Sequence, residues 1–488
     1  MGRFNVARSL IVTLPLALVA CALKAPPAPE QLARDALPNA RIPASWSAAP
    51  GTQESVTTDW IDTFGDPRLK AVVAEALAYN TDLQAGAARV EQAVAALKIA
   101  GASLSPAVDV LGRAAHKASG GGGTDVTGVI VSASWELDVW GRIRYGQQAA
   151  REQLHSSAAD YAYARQSIAA LVAKSWFVAA ETGVQQRLAR ESVSASEKVS
   201  ELARERVRVG TGNDRDVSLA DASLQTYRDA LRQIDLARVQ ALRALEVLAG
   251  RYPAAVLEAA DTLSSLPPPI DAGVPARLLE RRPDVIAAER RVAAAFNRVE
   301  EARAARFPSL SLTAAINWIN SSRFVLQDSR NPGSSIGGIL AWPFLTGGAI
   351  EGQIEGRTAE QKRAVADYAA VGLKAFSEVE SALATGSTLV EREKLLRQAV
   401  AENERTVALS EVQFRVGRID MRAILTDQLQ LYASRVQLLR VQSEALAQRV
   451  NLHLALGGGI SALRVSTRYA PASAPASGTA EPTPVSAR

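Results

Sequence analysis

The chain has 488 residues, with 55 Lys and Arg against 50 Asp and Glu and a formal net charge of +5. Apolar residues make up 48% and aromatic residues only 5%, a balance that suits long alanine-rich helices and argues against compact sandwich cores. The charge is spread without a basic stripe interleaved with aromatics, which excludes nucleic acid as a partner. The only cysteine, Cys21, excludes a disulfide within the chain.

Residues 1–20 read as an export signal. Arg3 and Arg8 form a positive start, and Ser9 to Ala20 form an apolar core too short to span a bilayer. Leu18-Val19-Ala20-Cys21 resembles a bacterial lipobox. That predicts cleavage between Ala20 and Cys21 and a covalent lipid on Cys21, with no other cofactor. Ala22 lacks the aspartate that would resemble an inner-membrane retention signal, so sorting to the outer membrane is expected. Several acyl chains give stable anchoring, each buried CH₂ contributing about 0.8 kcal/mol.

Residues 21–58 hold many prolines and predict an extended tether along the surface. A first unit follows over 59–250. It has helices near 59–101, strands at 107–117 and 128–138, a proline-free helix over 141–209, a turn at Arg208-Val209-Gly210, and a helix over 216–249. A linker covers 251–273. A second unit over 274–460 has helices over 274–305, strands at 309–320 and 336–345, and a proline-free helix over 350–416. The turn Arg415-Val416-Gly417 and a helix over 421–456 close it. The turns lie 207 residues apart. Asp82, Arg89, Val90 and Pro106 answer Asp284, Arg291, Val292 and Pro308 at an offset of 202. This is the pattern of an internal tandem repeat. Residues 461–488, rich in Ala, Pro, Ser and Thr, predict a disordered tail.

The strands alternate. Leu310, Leu312, Ala314, Ile316 and Trp318 share one face of theirs, and Val129, Val131, Ala133, Trp135 and Leu137 share one face of another. Each strand is about 10 residues long, the length a tilted strand needs to cross a bilayer. Trp135, Trp140, Trp318, Trp342 and Phe344 fall where an interfacial aromatic girdle would stand. No later stretch is expected to be apolar enough for a membrane helix, so strands must make the crossing. Four strands leave two open edges, which lipid does not tolerate. Several chains must therefore close the barrel: two would supply 8 strands, three would supply 12. The hairpin tips are predicted at 117–125, with four consecutive glycines, and at about 320–335.

Each proline-free helix would reach roughly 100 Å at about 1.5 Å per residue. The helices near 59–101 and 216–249 together match one such length, so two short helices are expected to stack end to end beside one long helix. Those at 274–305 and 421–456 would form the second pair. Val217, Ala220, Leu224, Tyr227, Leu231, Ile234, Arg238, Ala241, Leu245 and Leu248 step 3-4-3-4. Leu425 to Val450 does likewise, and Ile424, Leu431, Leu438, Ala445 and Leu452 add a second seam on the same helix. Two seams predict neighbours on both sides, as in a closed cylinder.

Catalytic readings find no support. His116, His155 and His453 have no metal-ligand spacing. Gly120 to Gly123 is followed by no Gly-Lys-Ser/Thr and is not a phosphate loop. The expectation is a protein that is not an enzyme.

Residues 278–285, Leu-Leu-Glu-Arg-Arg-Pro-Asp-Val, together with residues 304–310, Ala-Ala-Arg-Phe-Pro-Ser-Leu, resemble the signature of the TolC-like outer membrane efflux proteins, in the lipoprotein branch of NodT or OprM type. Residues 135–142, Trp-Glu-Leu-Asp-Val-Trp-Gly-Arg, are similar to that branch's strand-to-helix passage. The resemblance implies an α+β membrane fold: a homotrimer whose 12-stranded β-barrel, four strands per chain, continues into a periplasmic α-helical coiled-coil barrel. It implies a lipid-anchored outer membrane duct reaching into the periplasm, serving an inner-membrane RND-type pump through a periplasmic adaptor. Gly417-Arg418-Ile419-Asp420 resembles the branch's second tip, which makes Asp420 the leading gate candidate, with Arg415, Arg418 and Arg422 beside it. The turn residues Arg208, Val209, Gly210, Arg415, Val416 and Gly417 are candidates for adaptor contact. Thr426 stands where the family often has aspartate, with Asp427 displaced by one. Two alternatives stay open: an outlet for type I protein secretion, and a structural coiled-coil lipoprotein without a pore.

Overall fold

The computed structural model describes residues 23–48, 59–117, 124–260, 262–321 and 333–458. The signal segment, Cys21, both hairpin tips and the C-terminal tail lie outside the described residues.

Helix α1 spans Pro29–Ala36. It interrupts what the prolines predicted as an extended tether. Pro29 sits in its first turn, where the missing N–H costs nothing, and Leu32, Leu37 and Trp46 are buried. The predicted helical stretch near 59–101 is broken twice. A 3₁₀ turn over Trp60–Phe64 ends at Gly65. Helix α2 (Pro67–Tyr79) starts on Asp66, whose carboxylate accepts from the backbone N–H groups of Arg68 and Leu69. Helix α3 (Thr81–Ala102) starts on Asn80, whose Oδ1 accepts from Asp82 and Leu83. Such capping side chains satisfy amides that the first helical turn leaves free.

Strands β1 (Ala107–Lys117) and β2 (Thr124–Leu137) form the first hairpin. Helix α4 (Arg142–Arg208) and helix α5 (Asp214–Leu248) follow. After the linker come the short helix α6 (Leu278–Arg281) and α7 (Pro283–Ala304). Strands β3 (Ser309–Ser321) and β4 (Gly333–Ala341) lead to α8 (Ala349–Arg415) and α9 (Met421–Ala455). Both long helices have 67 residues, α5 and α9 have 35 each, and α3 and α7 have 22 each. Strand β4 stops at Ala341, short of the predicted 345, because Pro343 has no N–H for the ladder. Strand β2 begins at Thr124, four residues before the predicted 128.

The sheet order is β1-β2-β3-β4, antiparallel throughout. The helices follow the same order. Helices α3 and α5 both pack on α4, α4 packs on α7 and α9, and these pack on α8. Each strand thus continues into one helical column, and the stacked pair α7/α9 lies between the two long helices. Helix α9 has the neighbours on both sides that its two seams predict, α4 on one and α8 on the other, although Leu429 of the first seam is 55% exposed.

The stacked ends are joined by specific bonds. Asn80 Nδ2 donates to the carbonyl of Leu248 at 3.0 Å, tying the end of α5 to the start of α3. Gly250, at φ 75°, lies against the backbone of Tyr79, where a Cβ would come within 2.8 Å of its carbonyl oxygen. At the second junction Arg282 Nη1 donates to the carbonyl of Ala455 at 3.1 Å and to Glu378 at 2.6 Å. Its Nε and Nη2 bind both oxygens of Asp284, at 3.0 and 2.7 Å. Arg282 is 1% exposed. Burial opposes its charge, but Asp284 and Glu378 outweigh that and hold its pKa above the ordinary arginine value.

The linker is pinned by Glu246, whose buried carboxylate accepts from the backbone amides of Ala255, Val256 and Leu257 at 2.6 to 2.9 Å. The main core gathers Trp60, Phe64, Trp176, Phe177 and Leu245 beneath it. Against expectation, one window of α4 is long and apolar enough to pass for a membrane span. It is 56% buried inside the chain, and Ala169, Ala173, Trp176 and Ala180 pack it into the core.

Candidate functional site

The register of the sheet aligns the alternating faces. Val129, Val131, Ala133, Trp135 and Leu137 stand opposite Trp318, Ile316, Ala314, Leu312 and Leu310. The same face gains Val108 and Val110 from β1, and Ile336 and Leu340 from β4. It is open in the single chain: Val110 is 70% and Ile336 is 91% exposed. The opposite face carries Asp109, Arg113, Ser132, Ser134, Glu136, Ser311, Thr313 and Asn317, with Leu111, Ile130, Ile319 and Ile339 as apolar exceptions. An apolar outer face with a polar inner one is the signature of a membrane barrel wall.

Aromatics mark the helix-proximal end of the sheet. Trp140 stacks on Phe307 at 5.0 Å, and its indole donates to the carbonyl of Pro308 at 2.7 Å. Trp135 donates to the carbonyl of Leu104 at 3.0 Å, and Trp342 meets Phe344 edge to face at 5.4 Å. Such amphipathic rings suit a membrane–water boundary. Trp318 stands toward the tip end, opposite Val129. The strand-to-helix passage is built by charge. Glu136 takes both oxygens to Arg142 at 2.8 Å. The Asp138 carboxylate accepts from the amides of Ile143 and Arg144 at 2.9 and 3.0 Å, covering the exposed start of α4. The chain's N-terminal segment reaches this same level: the Lys24 amide donates to the Tyr145 hydroxyl at 2.8 Å.

At the far end, both hairpins turn through a glycine at φ 77°, Gly210 and Gly417. Arg208 pairs with Glu205 on its own helix. Arg415, Arg418 and Arg422 are exposed. Asp420 is the N-cap of α9, its Oδ1 accepting from the Ala423 amide at 2.9 Å. Among the described residues none of the three arginines pairs with Asp420. Asp427 is turned into its own hairpin, accepting from Ser410 Oγ at 2.5 Å, as Asp221 accepts from Ser200 at 2.5 Å.

The tie between the two hairpins was not visible in the sequence. Arg206 Nη1 donates to the carbonyl of Phe414 at 3.2 Å, and its guanidinium lies 4.8 Å from that ring's centroid. Phe414 is buried with Val199, Ala203, Ala220, Met421 and Ile424. The available signal was an aromatic residue one place before the second RVG turn. Among the described residues no group of three or more His, Cys, Asp or Glu side chains is arranged to hold a metal.

The sequence pattern described as Outer membrane efflux protein matches residues 72–251 and again 274–458. The chain belongs to this family. It is 31% identical over 433 residues to the pyoverdine export outer membrane protein OpmQ of Pseudomonas aeruginosa, covering 86% of this chain and 91% of that one. It is 29% identical to the toluene efflux pump outer membrane protein TtgF of Pseudomonas putida, covering 92% and 96%. The fold matches the CmeC outer membrane channel of Campylobacter jejuni with a TM-score of 0.80 at 22% identity, covering 90% of this chain and 94% of that one. This outer membrane efflux protein places residues 278–285, which resemble a family signature, at the junction of α9 with α7. In 278–285 the element that matters is Arg282, flanked by the helix-starting Pro283 and paired with Asp284.

Proposed function

We propose that three copies of this chain close a 12-stranded barrel running into a helical barrel, forming a passive outer membrane duct for small molecules. The observation that carries this reading is the open four-stranded sheet with its apolar face exposed, continued strand by strand into four helical columns. β1 and β4 have unpaired edges, and a membrane admits neither. The outer helical columns also carry exposed apolar side chains, Leu373, Leu395 and Leu409 on α8 and Ile99 on α3 with Leu236 and Val247 on α5. A second copy would cover them. The matching helix lengths fit a duplicated ancestral unit. The relatives' names favour small-molecule export over protein secretion, with an adaptor and an inner-membrane RND-type pump supplying the substrate. The duct itself performs no catalysis. Native mass spectrometry of detergent-solubilised protein should show trimers, and planar bilayers should show discrete conductance steps. A stable membrane-inserted monomer without conductance would overturn the reading.

Anchoring follows from the path of the N-terminus. Lys24, three positions after Cys21 in sequence, is fixed at the sheet–helix boundary, which supports an anchor on Cys21. Cys21→Ser should abolish incorporation of labelled palmitate and block cleavage after Ala20. Full labelling of that variant would refute the anchor.

At the periplasmic tips, we propose that Arg206 and Phe414 hold the hairpins of one copy together. Asp420 then faces Arg415, Arg418 or Arg422 of a neighbouring copy, closing the duct until an adaptor reaches the RVG turns. Asp420→Ala would also remove a helix cap, at a cost of about 1 kcal/mol. Asp420→Asn keeps the capping oxygen and removes only the charge. Arg206→Ala and Asp420→Asn should each raise the resting conductance severalfold with the trimer intact. Resting conductance equal to wild type in both would show that these contacts do not close the duct.

A further inference from the structure

The two units carry different residues at a matched buried position. Glu246 and His453 lie 207 residues apart, at the same place near the ends of α5 and α9. The carboxylate of Glu246 is satisfied by three linker amides. His453 is 1% exposed, and neither ring nitrogen has a hydrogen-bond partner. Its ring stacks on Trp60 at 5.4 Å and 21°. Trp60 in turn meets Phe64, which meets Phe177 of α4. The imidazole thus gives α9 a ring contact with the Trp60–Phe64 turn, beside Leu446 and Val450 in the same core. A buried polar group left without partners calls for an explanation beyond packing.

We propose that His453 is an acid-sensitive joint: protonation expels the ring from its stack and releases the Trp60–Phe64 turn from α9. The surroundings support this. Burial, and then the positive charge of Arg449 one turn earlier, push the His453 pKa down to about 4. The other ionisable groups on the elements packed here are engaged elsewhere. Lys174 of α4 binds Asn451 Oδ1 at 3.1 Å. On the Trp60 segment, Asp62 pairs with Lys70, and Asp66 accepts from Trp176 Nε1 at 2.9 Å. Asp59 also has a partner. Toward the linker, Arg449 of α9 donates to the carbonyl of Pro268, and Glu246 of α5 faces its three amides. Among the described residues no carboxylate accepts a hydrogen bond from either ring nitrogen.

The sign follows from linkage. The released, solvated histidine titrates near its ordinary value of about 6.5, above the packed one. The joint is therefore fully closed above about pH 6.5. Between there and about pH 4 the closed-to-released ratio falls by up to about tenfold per pH unit. Below that it falls no further on this account.

Hydrogen–deuterium exchange of the full-length assembled protein tests this at pH 7.5, 6.0 and 5.0, with rates corrected for intrinsic pH dependence. Wild type should lose protection at residues 59–66 by at least tenfold at pH 5.0, while 169–180 stays protected. In His453→Phe, which keeps an aromatic ring against Trp60, that loss should vanish. Arg449→Gln should weaken the loss at pH 5.0 without moving its onset, because the packed imidazolium is no longer repelled and the two pKa values lie closer together. This second variant decides the matter if the first does not assemble. Constant protection of wild type across the range would overturn the proposal. So would an undiminished acid response in His453→Phe, or an acid response in Arg449→Gln stronger than that of wild type.

Discussion

Arg282→Ala should prevent stable assembly. The substitution strands Asp284 without its cation, leaves Glu378 only Lys374 at 3.8 Å, and removes the donor to the Ala455 carbonyl. Breaking a buried pair from one side costs about 3–5 kcal/mol, repeated in every copy of an oligomer. Arg282→Lys should rescue poorly. A lysine cannot bind both Asp284 oxygens in a fork while also reaching Glu378 and a carbonyl. The triple variant Arg282→Met, Asp284→Asn, Glu378→Gln should recover much of the loss, since no unpaired charge stays buried. Thermal denaturation of the solubilised protein, read against oligomer content on native gels, checks all three. Wild-type stability in Arg282→Ala would mean that the junction is held by the apolar contacts of Leu278, Val285 and Leu456 alone.

Ile316→Arg should block insertion, while Asn317→Arg should be tolerated. The two residues are neighbours near the middle of β3 and point to opposite faces. A basic side chain facing lipid near the bilayer midplane costs about 2–4 kcal/mol per copy, whereas the polar face meets water. Outer membrane fractionation and heat-sensitive oligomer mobility would report the difference. If Asn317→Arg were the damaging change, the assignment of the two faces would be inverted.

Much of this molecule follows from local sequence. Side chains alternate along a strand with a period of two, so Leu310 to Trp318 and Val129 to Leu137 announce their faces without any partner. The same holds for the seams of α9, because helical period and residue size are local properties. The breaks at Asn80 and Arg282 were harder. Both lie inside periodic stretches, and the Asn80 side chain is satisfied by Leu248, 168 residues away. The resemblance pointed at residues 278–285 but not at the physical reason. That reason is a contact between Arg282 and the end of a helix 173 positions later.

The tips divide in the same way. The sequence by itself determined that Gly210 and Gly417 turn the chain and that charge gathers there, because glycine's tolerance of positive φ needs no context. Only the tertiary structure decided that Asp420 caps its own helix, that Asp427 turns inward to Ser410, and that Arg206 reaches Phe414 across the hairpins. It also decided that Glu246 and His453, matched in position, meet opposite fates. One finds three amides and the other finds only a tryptophan face. A side chain's type is written locally, but whether its hydrogen-bonding groups are answered depends on which distant backbone the fold brings beside it.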